Sequence, residues 1–258
     1  MSKIIKSKEL SQGNVDIAQD INLINKFTKT PLSPDEVYAF SIILCDNEID
    51  RDYEAFTEKA LKALAKEFIG KPGILNHRAD VAGQNSRIYK TQFEDGEGMT
   101  TLGAQKKQLR AWAYMLKSDK NADFIADIEA GIKKEVSVGF SSAVPKCSIC
   151  GEELSWWRSS EHKAGKTYDG KLCYGIIDEI KDAYEYSFVP IPAQAGAGVT
   201  KAYHEDDMNE AIDIVCSGIL KNHSRLQDIV KAVNEAVSTD SERTKIIEEN
   251  KKYLKEKD

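Results

Sequence analysis

Gly131-Ile-Lys-Lys-Glu-Val-Ser-Val-Gly-Phe140 is the stretch in which a helical pattern gives way to a strand. From Val136 onward, apolar residues alternate with small ones, so an extended chain has one apolar face and one small-residue face there. The small residues are Ser137, Gly139 and Ser141. Glycine inside a strand usually marks a bulge or a close approach by another group. The pattern predicts a half-buried strand with room beside Ser137 for another main chain or a substrate.

Ser137 has two interpretations. An ordinary strand serine is the simpler one, and the Ser-Val-Gly-Phe pattern taken alone favours it. A nucleophile is the other, and it requires a general base and an orienting group from elsewhere in the chain.

The composition limits the class of protein. With 258 residues and 41% hydrophobic residues, the chain can bury one large core, or one core with an appendage. The net charge of -6 gives no basic footprint for duplex DNA or an anionic membrane, so neither is an expected partner. No apolar run approaches the roughly 18 residues that span a bilayer, and the N-terminus lacks a signal-peptide pattern. We expect a cytosolic protein.

Periodicity and turn residues predict further elements around the serine strand. They are, in chain order, a capped turn at Ser33–Glu36, a strand at Val37–Cys45, a helix at Tyr53–Phe68 ended by Gly70–Gly73, strands at Ser86–Phe93 and Leu109–Leu116, and a helix at Ala122–Ile132. Residues 1–30 are polar and lack a long apolar period, so we expect an arm that is ordered only where it docks.

His77 is the candidate base. It follows the short apolar run Ile74-Leu75 and stands at the edge of a polar loop. Histidine titrates near neutral pH, and at a strand end it can be held within hydrogen-bond reach of a hydroxyl. A solvated or hydrogen-bonded histidine without a catalytic role is the alternative.

Glu185 is the candidate orienting group. It stands in the aromatic strand pattern of Ala183–Pro192. An unpaired charge in apolar surroundings is costly, so this carboxylate is either paired or exposed. It either caps or forms a salt bridge at a sheet edge, or it accepts a ring proton of His77 and fixes the tautomer of that histidine.

Three blocks of sequence carry a family resemblance. Gly70-Lys-Pro-Gly-Ile-Leu-Asn-His77, Ile132-Lys-Lys-Glu-Val-Ser137-Val-Gly-Phe and Tyr184-Glu185-Tyr-Ser-Phe-Val-Pro-Ile-Pro-Ala193 resemble, in order and spacing, those of the prohead maturation proteases of tailed bacteriophages. The resemblance covers about residues 28–203. It implies an α+β fold like that of herpesvirus assemblins, a mostly antiparallel β-barrel ringed by helices, here over residues 31–204.

The resemblance also implies a function. Ser137, His77 and Glu185 would form the catalytic triad of a serine endopeptidase that cuts scaffold or capsid delta-domain peptides and also itself. It would act in the cytoplasm of a bacterial host, inside the assembling prohead, and we expect it to form a homo-oligomer. The alternative is a non-catalytic, zinc-stabilised assembly or scaffold protein.

An insertion at residues 144–181 carries a candidate metal site. Cys147 and Cys150 have the spacing of a metal-binding knuckle, and His162 and Cys173 follow at longer intervals. Four sulfur or imidazole ligands suit tetrahedral Zn²⁺, and a closed four-ligand site is structural because no position is open for water. His162 has the alternative of being an exposed histidine in a polar loop. The predicted cofactor is therefore structural zinc, with none needed for catalysis.

Residues 205–258 are a charged segment with helical apolar stripes, so we expect a helical tail. Packing on the main domain is the expected role of this tail. Self-association or docking onto a scaffold protein is the alternative.

Overall fold

The computed structural model describes residues 15–154 and 161–200. The predicted helical tail and residues 1–14 of the predicted arm lie outside the described residues. The described elements comprise three α-helices and twelve β-strands. The helices are α1 Ile17–Ile24, α2 Glu58–Glu67 and α3 Asp119–Glu129. The strands are β1 Val37–Asp46, β2 Glu54–Phe56, β3 Pro72–Leu75, β4 Ser86–Met99, β5 Gln105–Leu116, β6 Val136–Ser142, β7 Lys146–Cys147, β8 Thr167–Tyr168, β9 Lys171–Leu172, β10 Gly175–Ile177, β11 Ile180–Phe188 and β12 Gly198–Val199.

A seven-stranded sheet forms the centre of the fold, with strand order β12-β1-β5-β4-β3-β11-β6. Neighbouring strands are antiparallel except β3 and β11, which run parallel. The α+β class is confirmed, but the expected closed barrel is wrong because this sheet remains open. One edge strand, β12, has only two residues, and a single bridge between Glu135 and Gly198 joins the two edges. So short a strand offers too few backbone groups for a continuous closing ladder.

The first core cluster lies between this sheet and α2. Leu61, Leu64 and Phe68 are fully buried from the helix side, against strand residues such as Ile42 and Ile88. The prediction of one helix over Tyr53–Phe68 is wrong at its start. Thr57 caps α2, because its side chain accepts a hydrogen bond from the Ala60 N–H at 3.1 Å. The residues before this cap form β2, which pairs in parallel with β10.

The second core cluster lies under α1. Ile24 is fully buried against Trp112 and Tyr89 on the sheet. Asp20 of the same helix is buried and accepts a hydrogen bond from the Tyr89 hydroxyl at 2.9 Å. The described part of the arm is therefore ordered by its contact with the sheet. No helix within residues 15–154 and 161–200 has both the length and the apolar character needed to cross a membrane.

The insertion is tied to the rest of the fold by a small sheet. Its strand order is β2-β10-β7, and β8 and β9 form a separate hairpin. Gly175 of β10 pairs with Cys147 on one side and with Glu54 on the other. The candidate metal-binding segment is thus one strand away from β2.

Candidate active site and metal cluster

Strand β11 brings together the three sequence blocks that carry the family resemblance. It lies between β3 and β6, so it is the direct neighbour of both. In register, Ser187 pairs with Ile74 of β3 and with Ser137 of β6, and Glu185 pairs with Gly139. Paired residues of adjacent strands share a face, and so do residues two apart in one strand. Ser137, Glu185 and Ser187 therefore lie on one face of the sheet.

His77 reaches this face from a tight turn after β3. Asn76 and His77 both have left-handed backbone angles, with φ of 51° and 54°. Such angles are uncommon outside glycine and cost on the order of 1 kcal/mol or more, so surrounding contacts have to hold them. The Asn76 N–H donates to the Phe188 carbonyl at 3.0 Å, and the His77 N–H donates to Ser187 Oγ at 2.9 Å. Both contacts anchor the turn to β11.

The turn directs the His77 ring at Glu185. Nδ1 of His77 lies 2.7 Å from Oε1 of Glu185, whose side chain is only 12% exposed. An ionised carboxylate can only accept hydrogen bonds, so this contact requires the proton on Nδ1, and in a neutral imidazole Nε2 is then the acceptor. This is the tautomer that a general base toward a hydroxyl requires.

Ser187 fixes both members of the pair, and sequence analysis did not single it out. It is fully buried, and its hydroxyl donates to Glu185 Oε2 at 2.7 Å while accepting the His77 N–H. The signal was present in the alternation of β11, because Ser187 stands two residues after Glu185. A buried hydroxyl that bridges the carboxylate and the histidine backbone holds the geometry without contacting a substrate.

Gly139 provides the close approach predicted for the small-residue face. A Cβ at this position would lie 2.2 Å from Glu185 Oε1. Any side chain there would displace the carboxylate, because real Cβ contacts are never so short. The group that approaches the serine strand is thus the carboxylate that holds His77.

Ser137 lies on the same face and is half-buried. Its side chain makes no hydrogen bond to any other described residue, the His77 ring included. Catalytic hydrogen bonds in resting enzymes are often long and tighten only when substrate binds. The structure therefore joins His77 to Glu185 directly and places Ser137 across β11 from β3, the strand that His77 follows.

A cleft of about 190 Å³ includes Ser137 in its wall. Its lining combines apolar residues, Leu44, Phe56, Val136 and Phe140 among them, with the acidic residues Asp50, Asp52 and Glu54. Sequence analysis missed these acids, although acidic residues occur at every second position from Asp46 to Glu54. Glu54 was instead placed in the predicted helix Tyr53–Phe68, and Asp50 and Asp52 were given no role.

Three of the four predicted metal ligands form one cluster in the insertion, and the fourth, Cys173, lies beside one of them. The ligand atoms of Cys147, Cys150 and His162 all lie within 4.8 Å of one another. Sγ of Cys173 lies 3.7 Å from Sγ of Cys147, and both side chains are buried. Two thiolates on a tetrahedral ion at about 2.3 Å would stand about 3.8 Å apart, so this spacing fits a shared ion. The same distance is far too long for a disulfide bond.

The backbone supports a ligand role for Cys147. Burial raises the pKa of its thiol, but hydrogen bonds from the backbone N–H groups of Cys150 and Ile149 and from the Cys150 and Cys173 side chains together outweigh burial, so the pKa lies below its usual value. Burial, with a further contribution from Cys147, raises the pKa of Cys173 to about 11. Thiolates are the metal-binding form, so metal binding would release the proton of Cys173. The Cys147, Cys150 and His162 cluster is suited to a metal ion.

Comparisons of the chain with protein-family models, with curated proteins and with solved structures found no match. The case for a function therefore rests on the sequence blocks and on the geometry of the site.

Proposed function

We propose that this protein is a serine endopeptidase, with Ser137 as nucleophile, His77 as general base and Glu185 as the carboxylate that orients it. The observation that carries the proposal is the 2.7 Å contact between His77 and Glu185, which are 108 residues apart in sequence. The sheet register places Ser137 on the same face. An exposed histidine paired with a nearly buried carboxylate, beside a serine on an open face, is the arrangement of a triad.

Each of the three residues then has a distinct role in the reaction. Nε2 of His77 accepts the Ser137 proton as Oγ attacks a peptide carbonyl, and Glu185 stabilises the imidazolium that forms. His77 next gives this proton to the leaving amine, which leaves an acyl group on Ser137. Water, deprotonated by His77, hydrolyses that ester and restores the serine.

The resemblance to prohead maturation proteases supports a proposal for the class of substrate. Its three blocks include His77, Ser137 and Glu185, and adjacent strands bring these blocks together in the fold. The proposed substrates are therefore scaffold or capsid delta-domain peptides, with self-cleavage as a further reaction. The proposed place of action is the assembling prohead in a bacterial host, with the enzyme as a homo-oligomer.

For the metal cluster, the proposal is a structural Zn²⁺ held by Cys147, Cys150, His162 and Cys173. The support is the 3.7 Å sulfur separation together with the ligand types. Four protein ligands would leave no position for a reacting water, so the ion would stabilise the insertion and take no part in the reaction.

A fluorophosphonate probe tests the nucleophile. Labelling of the full chain should attach the probe to Ser137, as identified by peptide mass spectrometry. Ser137→Ala and His77→Ala should lose the labelling, while Ser141→Ala and Ser142→Ala, from the same strand, should keep it. Labelling that survives in Ser137→Ala, or that never occurs in the parent, would favour the non-catalytic assembly protein instead.

A further inference from the structure

Ser187 is a buried polar residue that takes no direct part in the proposed reaction. It is fully buried, so a substrate bound on the sheet face does not touch it. A buried hydroxyl needs hydrogen-bond partners within the protein, and any suitable backbone group can provide one. The partners of Ser187 are instead the His77 N–H at 2.9 Å and Glu185 Oε2 at 2.7 Å. A serine that only stabilised its strand would require neither of these two site residues.

The two hydrogen bonds of Ser187 have fixed directions. A backbone N–H can only donate, so the hydroxyl oxygen accepts from His77. An ionised carboxylate can only accept, so the hydroxyl proton is directed at Glu185. The side chain at this position therefore has to donate and accept at the same time. Serine and threonine are the residues of this length that carry a hydroxyl for both roles.

The hydrogen bond to Glu185 fixes the plane of its carboxylate. The last torsion of a glutamate side chain has broad minima, so the strand backbone alone does not set that plane. Among the described residues, the hydrogen bonds to this carboxylate come from His77 and Ser187. Gly139 on the neighbouring strand leaves room for Oε1 but has no side chain to hold it. Because Ser187 holds Oε2, Oε1 is directed at Nδ1 of His77.

The hydrogen bond from the His77 N–H fixes the turn after β3. The register of β3 and β11 ends at Leu75 and Phe188, so His77 lies beyond the last paired residues. The Asn76 N–H still reaches the Phe188 carbonyl, but the His77 N–H is received by a side chain. His77 has a left-handed backbone with φ of 54°, which persists only where surrounding contacts hold it. Ser187 provides such a contact at the histidine itself.

Ser187 also links the histidine to the serine strand. It is the register partner of Ser137, and paired residues of antiparallel strands have Cα atoms about 4.5–5.5 Å apart. The His77 backbone is thus anchored to the residue that faces Ser137 across two neighbouring strands. The hydrogen bonds of the described residues include none between the His77 ring and Ser137. The relative position of base and nucleophile is therefore set through Ser187.

We propose that Ser187 is a positioning residue of the endopeptidase site. Its hydroxyl orients the Glu185 carboxylate toward Nδ1 of His77 and anchors the His77 backbone to the strand beside Ser137, so that Nε2 can receive the serine proton. The inference rests on the proposed endopeptidase function. It adds a residue that acts through Glu185 and His77 without contacting the substrate, and loss of its hydroxyl should release both groups at once.

Two matched pairs of side chains test the hydroxyl. Ser187→Ala differs from the parent only in lacking it. Ser187→Thr and Ser187→Val share one shape, so any cost of the added methyl group is common to both. Since the hydrogen bond that is lost has a charged acceptor, fluorophosphonate labelling of Ser137 should slow about 10-fold to 100-fold on loss of the hydroxyl in each pair. If the methyl group unfolds both larger variants, the first pair decides.

Tyr186→Phe is the structural control. Tyr186 is the next residue along β11 toward Glu185 and is fully buried, and its side chain lies on the opposite face of the sheet. Its hydroxyl forms a hydrogen bond with Ser86 Oγ at 2.6 Å. Loss of this buried hydrogen bond should lower the melting temperature about as much as Ser187→Ala does. It should leave the labelling rate of Ser137 unchanged, because it releases neither His77 nor Glu185.

A proton NMR signal reports the positioning of His77 directly. A histidine Nδ1 proton that is hydrogen-bonded to a carboxylate resonates far downfield of the amide region, and loss of the signal in His77→Ala identifies it. The signal should be present in the parent, in Ser187→Thr and in Tyr186→Phe. It should shift or disappear in Ser187→Ala. A serine that only stabilised the strand would affect the melting temperature without moving this signal.

The outcomes separate the two proposals. Ser187→Ala and Ser187→Val proteins that label as fast as their hydroxyl-bearing partners would overturn the positioning role and leave the endopeptidase standing. Slower labelling of Ser187→Ala with an unchanged His77 signal, or equal slowing in Tyr186→Phe, would also overturn it, because the loss would then come from the strand. Absence of labelling in the parent would remove the nucleophile, and the His77 signal alone would then decide whether Ser187 positions the histidine.

Discussion

The sheet face around His77 and the metal cluster in the insertion are built in opposite ways. Ser137 and Glu185 lie in two adjacent strands and His77 in the turn after a third, and long-range register places these segments side by side without any ligand. The metal cluster comes from a knuckle and a hairpin, whose strands have only two residues each. Short ladders of this kind contribute little stability of their own. The fold alone positions the first site, whereas the second has little regular structure of its own and would gain rigidity from the proposed ion.

The largest expected effect concerns the sheet face. Removing a triad nucleophile in a well-studied serine protease costs on the order of a millionfold in rate, so Ser137→Ala should abolish processing of a co-expressed capsid or scaffold precursor. Ser141→Ala and Ser142→Ala should cost no more than about tenfold, since neither hydroxyl has a role in the proposed chemistry. Precursor and product bands on a gel give the measurement. Processing by Ser137→Ala at a rate near that of the parent would refute the triad.

Gly139→Ala tests the positioning of the proposed triad and leaves its three members unsubstituted. The new Cβ would lie 2.2 Å from Glu185 Oε1, so the carboxylate has to leave His77. Loss of a correctly oriented acid costs up to about ten-thousandfold in a known triad, and we expect a loss of at least a hundredfold in fluorophosphonate labelling rate. Gly96→Ala is the matched control, because its nearest neighbour is the flexible end of the Gln108 side chain. A Gly139→Ala protein that melts normally and labels at the parent rate would show that the His77–Glu185 contact is dispensable.

Substitutions in the insertion should have the opposite effect to those on the sheet face, because they should lower the stability of the protein more than its reaction rate. Protein purified without chelator should contain about one zinc per chain, and Cys147→Ser or His162→Ala should lose it and melt at a lower temperature. Ser137 labelling should fall less than it does in Gly139→Ala, because β10 separates the Cys147 strand from β2 at the cleft. Elemental analysis that finds little zinc, together with freely titratable cysteines, would contradict the site.

The same comparison explains what the sequence could predict. The serine strand was predictable from its alternation of apolar and small residues, and Val37–Cys45 from its content of aromatic and branched residues. Two elements were not predictable because distant partners create them. Strand β2 exists through its pairing with β10, and α1 is held by Trp112 and Tyr89. Local periodicity contains no information about such partners.

The candidate site follows the same rule. His77, Ser137 and Glu185 were identifiable as residue types in three blocks, and the spacing of Cys147 and Cys150 was a local signal. Ser187 was missed because alternation shows only that it shares a face with Glu185, and not that its hydroxyl contacts both Glu185 and the His77 N–H. The failure of the barrel to close depends on the length of β12, which the sequence near Gly198 does not reveal.

The smallest expected effect lies within the acidic segment beside the cleft, where two glutamates should respond to pH in opposite directions. Burial and neighbouring acids raise the pKa of Glu54 in the folded protein. Between the unfolded-state pKa of about 4.3 and the higher folded-state pKa, the folded protein binds more protons than the unfolded chain. Stability therefore falls as pH rises through this range, and above it the ionised Glu54 destabilises the fold. Glu54→Gln should therefore be more stable than the parent at pH 7, and the difference should vanish below pH ~4.

Glu48 provides the opposite case six residues earlier in the chain. Burial opposes its charge, but hydrogen bonds from the Thr101 hydroxyl and N–H prevail, and the pKa of Glu48 is lowered. Its stabilising contribution is present above about pH 4.3 and is lost as pH falls through the folded-state pKa, so Glu48→Gln should be less stable than the parent at pH 7. Because solvent screens both partly exposed groups, each difference should be below about 1 kcal/mol, or about 1–3 °C in melting temperature. Melting curves from pH 3 to pH 7 measure both. A Glu54→Gln protein no more stable than the parent at pH 7 would contradict the prediction for Glu54, and a Glu48→Gln protein no less stable than the parent would contradict the prediction for Glu48.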